Sequence, residues 1–152
     1  MADGPSAQAT ELSRYRLSGF DTAMGLEIVR ASRDEVVMEY VTEERHLQGY
    51  GIAHGGIHCA IIESACSTGA SLAASARGQA VVGVENHTSF IRAVRAGVKL
   101  RATATPITRG RRSQVWEATI RDEQDRIVAT GRVRLLCLDP GTELAGERVS
   151  RG

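Results

Sequence analysis

The segment from residue 55 to residue 76 constrains the fold most, because its 22 positions contain a single formally charged side chain, Glu63. Its length alone would allow it to span a membrane. However, it also contains His58 and several serines, most of its apolar residues are small, and no second segment of this kind follows. We therefore expect a buried helix in a soluble domain, continuing to about Arg77 with Gly78 as its C-cap.

The chain has 152 residues, which fits one domain with one hydrophobic core. Residues 1–12 and 140–152 are rich in small and polar side chains, so we expect them to be flexible termini. The domain should then occupy residues 13–139, beginning with a short helix or turn that ends at Gly25.

Strand patterns lie on both sides of the predicted helix. Two apolar-rich runs, residues 26–31 and 35–41, are separated by a polar turn and predict a hairpin. After the helix, apolar and polar residues alternate in residues 98–105, 116–120 and 127–135, as in strands with one buried face. The turns are short enough for antiparallel pairing, and we expect the four strands that follow the helix to form a meander.

An antiparallel sheet with one buried face needs an element to cover that face, and the apolar helix is the available one. The many glycine, alanine and serine residues of this helix would let a sheet approach its axis closely. The predicted fold class is therefore α+β, with an antiparallel sheet wrapped around a long central helix, which is the hotdog fold.

The charge balance limits the kinds of partner. Nineteen Lys and Arg residues against 18 Asp and Glu residues leave a formal net charge of +1, which argues against a general nucleic-acid surface or an anionic-membrane binder. The three cysteines, Cys59, Cys66 and Cys137, have no metal-ligand spacing and follow no secretory leader. We expect buried free thiols, no metal and a cytoplasmic location.

Glu63 is the strongest candidate for chemistry. An ionised carboxylate in the middle of a buried helix is costly unless a reaction uses it or a cation pairs with it. The alternative is that Glu63 lies on the one strip of the helix that reaches an interface and forms a salt bridge there with an arginine.

His54, Gly55 and Gly56 precede this carboxylate at the predicted start of the helix. Unpaired backbone N–H groups at a helix N-terminus suit a carbonyl oxygen that gains negative charge. Two glycines can equally serve only to make a tight turn from the loop into the helix.

The spacing of these two features favours a dimer. Gly55 and Glu63 are eight residues apart, or about 12 Å along a helix, so they cannot both contact one carbonyl group within a single chain. Two antiparallel helices across a two-fold axis would bring Glu63 of one subunit to Gly55 of the other. Ser67 lies on the same helix face as Glu63 and could orient the carboxylate or hold a water molecule, or could simply pack.

Further candidates for binding lie in two later segments. Residues 109–113 (RGRRS) form a local cation cluster that could receive phosphate groups, although a solvated hairpin tip is the simpler interpretation. Arg92 is a second candidate for phosphate contact. Asn86 and His87 interrupt the apolar alternation of their strand, so we expect them near the site or at the subunit boundary.

Taken together, these residues resemble the PaaI-like branch of hotdog thioesterases, and within it the 4-hydroxybenzoyl-CoA thioesterases of the Arthrobacter type. The resemblance covers about residues 20–138. Its motifs are QGYGIAH (residues 48–54), HGGIHCAIIESACS (54–67), VGVENHTSFIRAVRAG (82–97) and RGRRS followed by Trp116. The 4-hydroxybenzoyl enzyme carries threonine where this chain has Ser67, and small hydroxylic residues where it has Arg111 and Arg112.

The resemblance implies hydrolysis of an acyl- or aryl-CoA thioester, with the coenzyme A belonging to the substrate and no other cofactor. Glu63 would attack the carbonyl carbon or activate water, the Gly55 amide would polarise the carbonyl group, and Gln48 would assist. The predicted site residues are as follows: catalytic, Glu63, Gly55, Gln48, His54 and Ser67; substrate-binding, Gly56, Asn86, His87, Thr88, Arg92, Arg111, Arg112 and Ser113. The predicted assembly is a homodimer with shared sites, packed as a dimer of dimers.

Two other functions remain open from the sequence. A hotdog hydratase or dehydratase would use a histidine and an acid converging on the α and β carbons of the substrate. A non-catalytic protein that binds acyl-CoA or an acyl carrier would keep the fold without turnover. The acyl group, aromatic or aliphatic, is not determined by the sequence.

Overall fold

A computed structural model describes residue 17 and residues 19–149. The predicted flexible terminus at residues 1–12 lies outside these residues, as do residues 150–152 of the predicted tail. The helices are α1 (Phe20–Ala23) and α2 (Gly55–Ser75), with a 3₁₀ turn at Glu44–His46, and the strands are β1 (Glu27–Ala31), β2 (Val36–Val41), β3 (Ala80–Phe90), β4 (Lys99–Arg109), β5 (Ser113–Arg121), β6 (Ile127–Leu138), β7 (Glu143–Leu144) and β8 (Glu147–Arg148).

Strands β1 to β6 form one antiparallel sheet in the order β1-β2-β4-β5-β6-β3. Only β4, β5 and β6 follow one another as a meander, so the prediction of a four-strand meander is wrong. Strand β3 pairs with β6 at one edge of the sheet, and residues 91–98 return the chain to β4, which lies beside β2. Alternation of apolar residues identifies a strand but not its partner, which is why the sequence did not reveal this crossover.

Helix α2 packs against strands β2 to β6 and forms the centre of the core. A Cβ atom on Gly69 would lie 2.4 Å from the ring of Trp116, so the sheet approaches the helix more closely than any other residue would allow. The predicted fold, a sheet wrapped around one long helix, is confirmed. The largest fully buried apolar side chains are Trp116, Met38, Ile61, Ile62, Leu100, Ile120 and Leu135.

A buried amide side chain joins the sheet to this helix. Gln114 on β5 is 0% exposed, and its Nε2 donates to the Ala70 carbonyl oxygen of α2 at 3.0 Å. Its Oε1 accepts from the Trp116 indole N–H at 2.9 Å. Both ends of the amide are therefore satisfied, so burial of this polar group does not destabilise the core.

The predicted ends of the central helix agree closely with the structure. Helix α2 begins at Gly55 and ends at Ser75, and Gly78, with φ of 69°, closes the following turn by donating to the Ser75 carbonyl oxygen. The short helix α1 ends before Gly25, as predicted. In the C-terminal segment the structure contains the two-residue strands β7 and β8, which the sequence did not predict.

The three cysteines are free thiols, as expected. Cys66 is fully buried, whereas Cys59 and Cys137 are only half-buried. None of the helices described in the structure has the length and apolar character needed to cross a membrane.

We predict that Gly69→Ala destabilises the domain although alanine favours helices. The new methyl group must displace the buried Trp116 ring, and overpacking of this kind costs about 1–3 kcal/mol. Urea unfolding of the purified variant measures the effect. Ser71→Ala on the same helix is the matched control and should change stability by less than about 0.5 kcal/mol. A Gly69→Ala variant as stable as the wild type would show that the helix and sheet can separate freely.

Candidate active site

Glu63 lies on the strip of α2 that the sheet leaves uncovered. The sheet-facing side of α2 buries Ile61, Ile62, Ala65 and Cys66, while Glu63 is exposed in the single chain. The expectation that this carboxylate is buried is therefore wrong for one chain alone. The apolar sequence around it reflects small helix residues near the surface as well as true core residues.

The edge strand β3 holds the Glu63 carboxylate in place. A Cβ atom on Gly83 would lie 3.1 Å from Glu63 Oε1, so the glycine lets the carboxylate lie directly against the strand. Asn86 Nδ2 donates to the Cys59 carbonyl oxygen at 3.0 Å and, more weakly, to Glu63 Oε2 at 3.4 Å. Thr88 Oγ1 in turn donates to Asn86 Oδ1 at 2.6 Å. Asn86 and Thr88, predicted as substrate contacts, thus form a hydrogen-bonded support for the carboxylate.

A cavity of about 370 Å³ opens beside Glu63, and Ser67 lines it as the spacing predicted. Its other walls include Asp21 and Ser64, and Ser64 Oγ donates to Asp21 Oδ1 at 2.6 Å. Asp21 was not predicted as a site residue. Its only sequence signal is an acid in the first turn of a four-residue helix, which is too common to single it out.

The two glycine amides at the N-terminus of α2 differ in their hydrogen-bond partners. His54 is the N-cap, and its Nδ1 accepts from the Gly56 amide at 2.8 Å. The Ile57 amide donates to the His54 carbonyl oxygen at 3.0 Å. Among the described residues, the Gly55 amide has no acceptor, so of the two glycine amides this one is available to a ligand.

A second cavity, of about 240 Å³, lies beside the Gly55 amide. Gln48 and Arg92 line it, as does Phe90, whose ring would lie 2.4 Å from a Cβ atom on Gly55. Gln48 Oε1 accepts from the Tyr50 amide, which leaves the Nε2 donor of the side chain available. The structure therefore brings three predicted residues, Gly55, Gln48 and Arg92, to one cavity.

His58 lines the same cavity and was not predicted as a site residue. It is 3% exposed, and its Nδ1 lies 3.0 Å from the Tyr40 hydroxyl, which is itself buried. Burial lowers the pKa of His58 to about 4, so the ring is neutral at physiological pH. Burial likewise raises the pKa of Tyr40. From sequence alone, a histidine on an apolar helix face cannot be distinguished from an ordinary core residue.

The remaining predicted residues lie away from both cavities in the single chain. His87 is on the opposite face of β3, where it lines a separate cavity of about 390 Å³ with Glu117 and Arg132. Arg111 and Arg112 form the exposed tip between β4 and β5, and Ser113 begins β5.

That tip is fixed beside the C-terminal end of α2. Gln79 Nε2 donates to the Arg111 carbonyl oxygen at 3.1 Å, and Arg77 reaches the Gly110 carbonyl oxygen at 3.4 Å. The tip is thus separated from Gly55 by the length of α2, about 30 Å for its 21 residues. In one chain, the cation cluster and the Gly55 cavity cannot contact the same small group.

A charged neighbour would change the reactivity of Glu63. Among residues 17 and 19–149, no Lys, Arg or His forms an ion pair with it. Within the same residues, no three His, Cys, Asp or Glu side chains cluster as a metal site would require. Among the described residues, the exposed Glu63 carboxylate therefore accepts one weak hydrogen bond, from Asn86, and forms no ion pair.

Comparison with known proteins places this chain in a family. The profile of the thioesterase superfamily matches residues 50–129, which include Gly55 and Glu63. This chain belongs to the thioesterase superfamily. Its general reaction is therefore the hydrolysis of a thioester, and the hotdog architecture is the fold expected of it.

Individual relatives agree with this assignment. The esterase-named protein Rv1847 of Mycobacterium tuberculosis is 41% identical over 122 residues, covering 79% of this chain and 86% of that protein. Its solved structure superposes with a TM-score of 0.77, covering 79% of this chain and 96% of that one. A Listeria monocytogenes protein named 1,4-dihydroxy-2-naphthoyl-CoA hydrolase is 31% identical, covering 75% of this chain and 91% of its own.

The PaaI protein of Escherichia coli has the same fold. Its structure superposes with a TM-score of 0.75 at 22% identity, covering 86% of this chain and 95% of that one. The predicted hotdog thioesterase family, with PaaI as a structural neighbour, is confirmed. The finer resemblance to the Arthrobacter-type 4-hydroxybenzoyl-CoA thioesterase stays a prediction.

The neutral state of His58 predicts how stability depends on pH. Because its pKa is about 4 in the folded protein and about 6.5 in an unfolded chain, only the unfolded chain takes up a proton between these values. His58 should therefore remove about 2 kcal/mol of stability between pH 7 and pH 5.

The measurement is urea unfolding of the wild type and of the Tyr40→Phe, His58→Leu double variant at both pH values. The double variant removes both polar partners together, so no buried group is left unsatisfied. It should lose about 2 kcal/mol less than the wild type on acidification. Equal losses in the two proteins would contradict the assignment of a neutral buried ring.

Proposed function

We propose that this protein hydrolyses acyl- or aryl-CoA thioesters at sites shared between two subunits. The observation that carries the proposal is the pair of half-sites on one helix: a free Gly55 amide beside one cavity and an exposed Glu63 carboxylate beside another. Eight residues, about 12 Å, separate them along the helix. Each half-site supplies what the other lacks for acyl transfer, namely an oxyanion donor and a carboxylate.

In this mechanism the thioester carbonyl oxygen accepts a hydrogen bond from the Gly55 amide, and Gln48 Nε2 donates to the same oxygen. The helix N-terminus adds a positive potential where negative charge develops. Glu63 of the second subunit either attacks the carbonyl carbon or takes a proton from the attacking water. The carbon–sulfur bond breaks, and the coenzyme A sulfur takes up a proton supplied by water and leaves as the thiol. Where Glu63 attacks directly, a water molecule then hydrolyses the acyl–Glu63 anhydride, which releases the acid and restores the carboxylate. Ser67 orients the carboxylate or the water.

The edge strand supports the shared site. Strand β3 has 11 residues, lies at the edge of the sheet and is largely exposed, including Val84 and Phe90 at 46% and 58%. A long exposed edge of this kind readily pairs with another strand. Antiparallel pairing of two β3 strands would be isologous and would bring the two α2 helices antiparallel beside each other.

Antiparallel helices would also give the cation cluster a role. When Glu63 of the second subunit lies opposite Gly55 of the first, the rest of the second α2 extends about 18 Å beyond Gly55 along the axis. The C-terminal end of the second helix therefore lies past the start of the first helix. Arg111 and Arg112 of the second subunit lie beside that end. The phosphate groups of coenzyme A, at the end of the long pantetheine arm, could then reach these arginines.

Release of free thiol from a panel of acyl-CoA esters tests this function against its alternatives. A hydratase would change the absorbance of an unsaturated acyl group without releasing thiol, and a binding protein would retain the ester without turnover. The name of the Listeria relative favours CoA esters as the first substrates to test.

We predict that Glu63→Gln lowers kcat by at least about a thousandfold, because an amide of the same shape can neither attack the carbonyl carbon nor accept a proton. The assay is thiol release at saturating ester, with binding of the ester measured separately. Glu123→Gln, in the exposed turn after β5, is the matched control and should keep wild-type kcat. Activity of Glu63→Gln within about tenfold of wild type would rule out the assigned role.

We further predict that two inactive variants restore activity when they form a heterodimer. One subunit carries Glu63→Gln and the other carries Gly55→Val, whose side chain would collide with Phe90 and block the amide. One of the two composite sites would then contain an intact Gly55 and an intact Glu63. With random pairing, about half of the dimers are heterodimers with one good site each, so about a quarter of wild-type activity is expected.

Co-expression with two different tags allows the heterodimer to be purified. The control is the doubly mutated chain, Gly55→Val with Glu63→Gln, co-expressed with wild type. If each site is built from one chain, this heterodimer keeps one good site, in the wild-type subunit. If the sites are shared, each of its two sites carries one lesion, so it should be inactive. If the two complementing variants stay inactive when paired, Glu63 must act with groups of its own chain.

A further inference from the structure

Two buried histidines of this domain differ in how their ring nitrogens are satisfied. In His46, 3% exposed, Nδ1 accepts from the Glu43 amide and Nε2 lies 2.9 Å from the Met24 carbonyl oxygen. In His58, equally buried, Nδ1 is bonded to the Tyr40 hydroxyl, while Nε2 has no hydrogen-bond partner among the described residues. A histidine that only fills a core has both nitrogens satisfied, as His46 has. His58 keeps one nitrogen for another partner.

The Tyr40 hydroxyl fixes which nitrogen of His58 carries the proton. Tyr40 is 2% exposed, and within the described part of the chain His58 Nδ1 is the only partner of its hydroxyl. The hydroxyl hydrogen must therefore go to Nδ1, because the alternative tautomer would leave a buried O–H without an acceptor. Nδ1 then accepts, and the neutral ring presents Nε2–H as a donor.

His58 lines the cavity beside the Gly55 amide, so its N–H donor is available to a group bound there. The cavity has a volume of about 240 Å³ and is lined by His58, Phe90, Ile52 and Ala53 as well as by Gly55. The His58 and Phe90 rings pack against each other, with centroids 6.1 Å apart. A dry cavity of about 150 Å³ holds a benzene molecule, so this one has room for a single ring or a short branched chain.

The acyl group is the part of a thioester that fits this cavity. An acyl group is attached only at the carbonyl carbon, so it can end inside a recess. Coenzyme A must instead continue outward to its phosphate groups, past exposed residues. With the carbonyl oxygen on the Gly55 amide, an acyl group would enter this cavity along the wall that His58 and Phe90 form.

We propose that His58, oriented by Tyr40, determines specificity for acyl groups that carry a hydrogen-bond acceptor oxygen. This inference rests on the proposed thioesterase function. His58 follows Gly55 by three residues, about 4.5 Å along the helix axis. The carbon that bears the acceptor oxygen should therefore lie about three or four single bonds, of about 1.5 Å each, from the thioester carbonyl carbon.

Matched pairs of esters test this assignment. The probes are 4-oxohexanoyl-CoA and 5-oxohexanoyl-CoA, compared with 4-methylhexanoyl-CoA and 5-methylhexanoyl-CoA. A keto oxygen accepts a hydrogen bond, and a methyl group of similar size does not. For at least one pair, the wild-type kcat/KM should be at least about tenfold higher for the keto ester, because a methyl group leaves the buried N–H unpaired.

The Tyr40→Phe, His58→Leu double variant should abolish this preference, so that the keto-to-methyl ratio of kcat/KM falls by about tenfold or more. Tyr40→Phe alone should lower the ratio partly, since the ring loses the bond that fixes its tautomer. His46→Gln is the control: it alters the other buried histidine and should leave the ratio unchanged even if it lowers stability.

The outcomes separate this inference from the function on which it rests. If the wild type releases thiol from no ester, the proposed function fails. If it releases thiol but shows no keto preference in either pair, the specificity assignment is wrong. If the double variant loses the same factor on both esters of a pair, His58 serves the coenzyme A arm or the fold, and the assignment is again overturned.

Discussion

The close contact between Trp116 and Gly69 governs the rest of the structure, because it sets the distance between the sheet and α2. The indole ring occupies the space that any side chain at position 69 would need, and Gln114 then bonds both the ring and the Ala70 carbonyl oxygen. The contact fixes the rotation of the helix about its axis as well as its distance. With Gly69 turned toward the sheet, Glu63 is turned toward the open edge of the sheet, which is strand β3.

The open edge explains why both half-sites depend on β3. In its middle part this strand provides Gly83 and Asn86 to the Glu63 carboxylate, and at its end it provides Phe90 to the Gly55 cavity. One edge strand therefore positions both halves of the proposed site and is also the surface on which a second chain could pair. In this arrangement, association of subunits and assembly of the site are the same physical event.

The sequence predicted the features that have a local signal. The single charge within 22 apolar or small residues located Glu63, and the glycine pair at the helix start located the free amide. Strand pairing has no such signal, which is why β3 was placed in a meander rather than at the far edge. The burial of Glu63 was misjudged because composition shows that a helix is apolar but not which side the sheet covers. His58 and Asp21 were missed because their roles depend on contacts with Tyr40 and Ser64, which are 18 and 43 residues away in the chain.

The N-terminus of α2 shows how the fold stays stable while keeping one amide open. An N-cap that satisfies a helix amide contributes about 1 kcal/mol, and here His54 does so for Gly56. The neighbouring Gly55 amide lies at a cavity where water can reach it, so leaving it without a protein acceptor costs little. Glycine at position 55 leaves room for the Phe90 ring, which a Cβ atom there would displace. Capping and binding thus use adjacent amides of one helix turn, and a substitution that impairs binding need not impair capping.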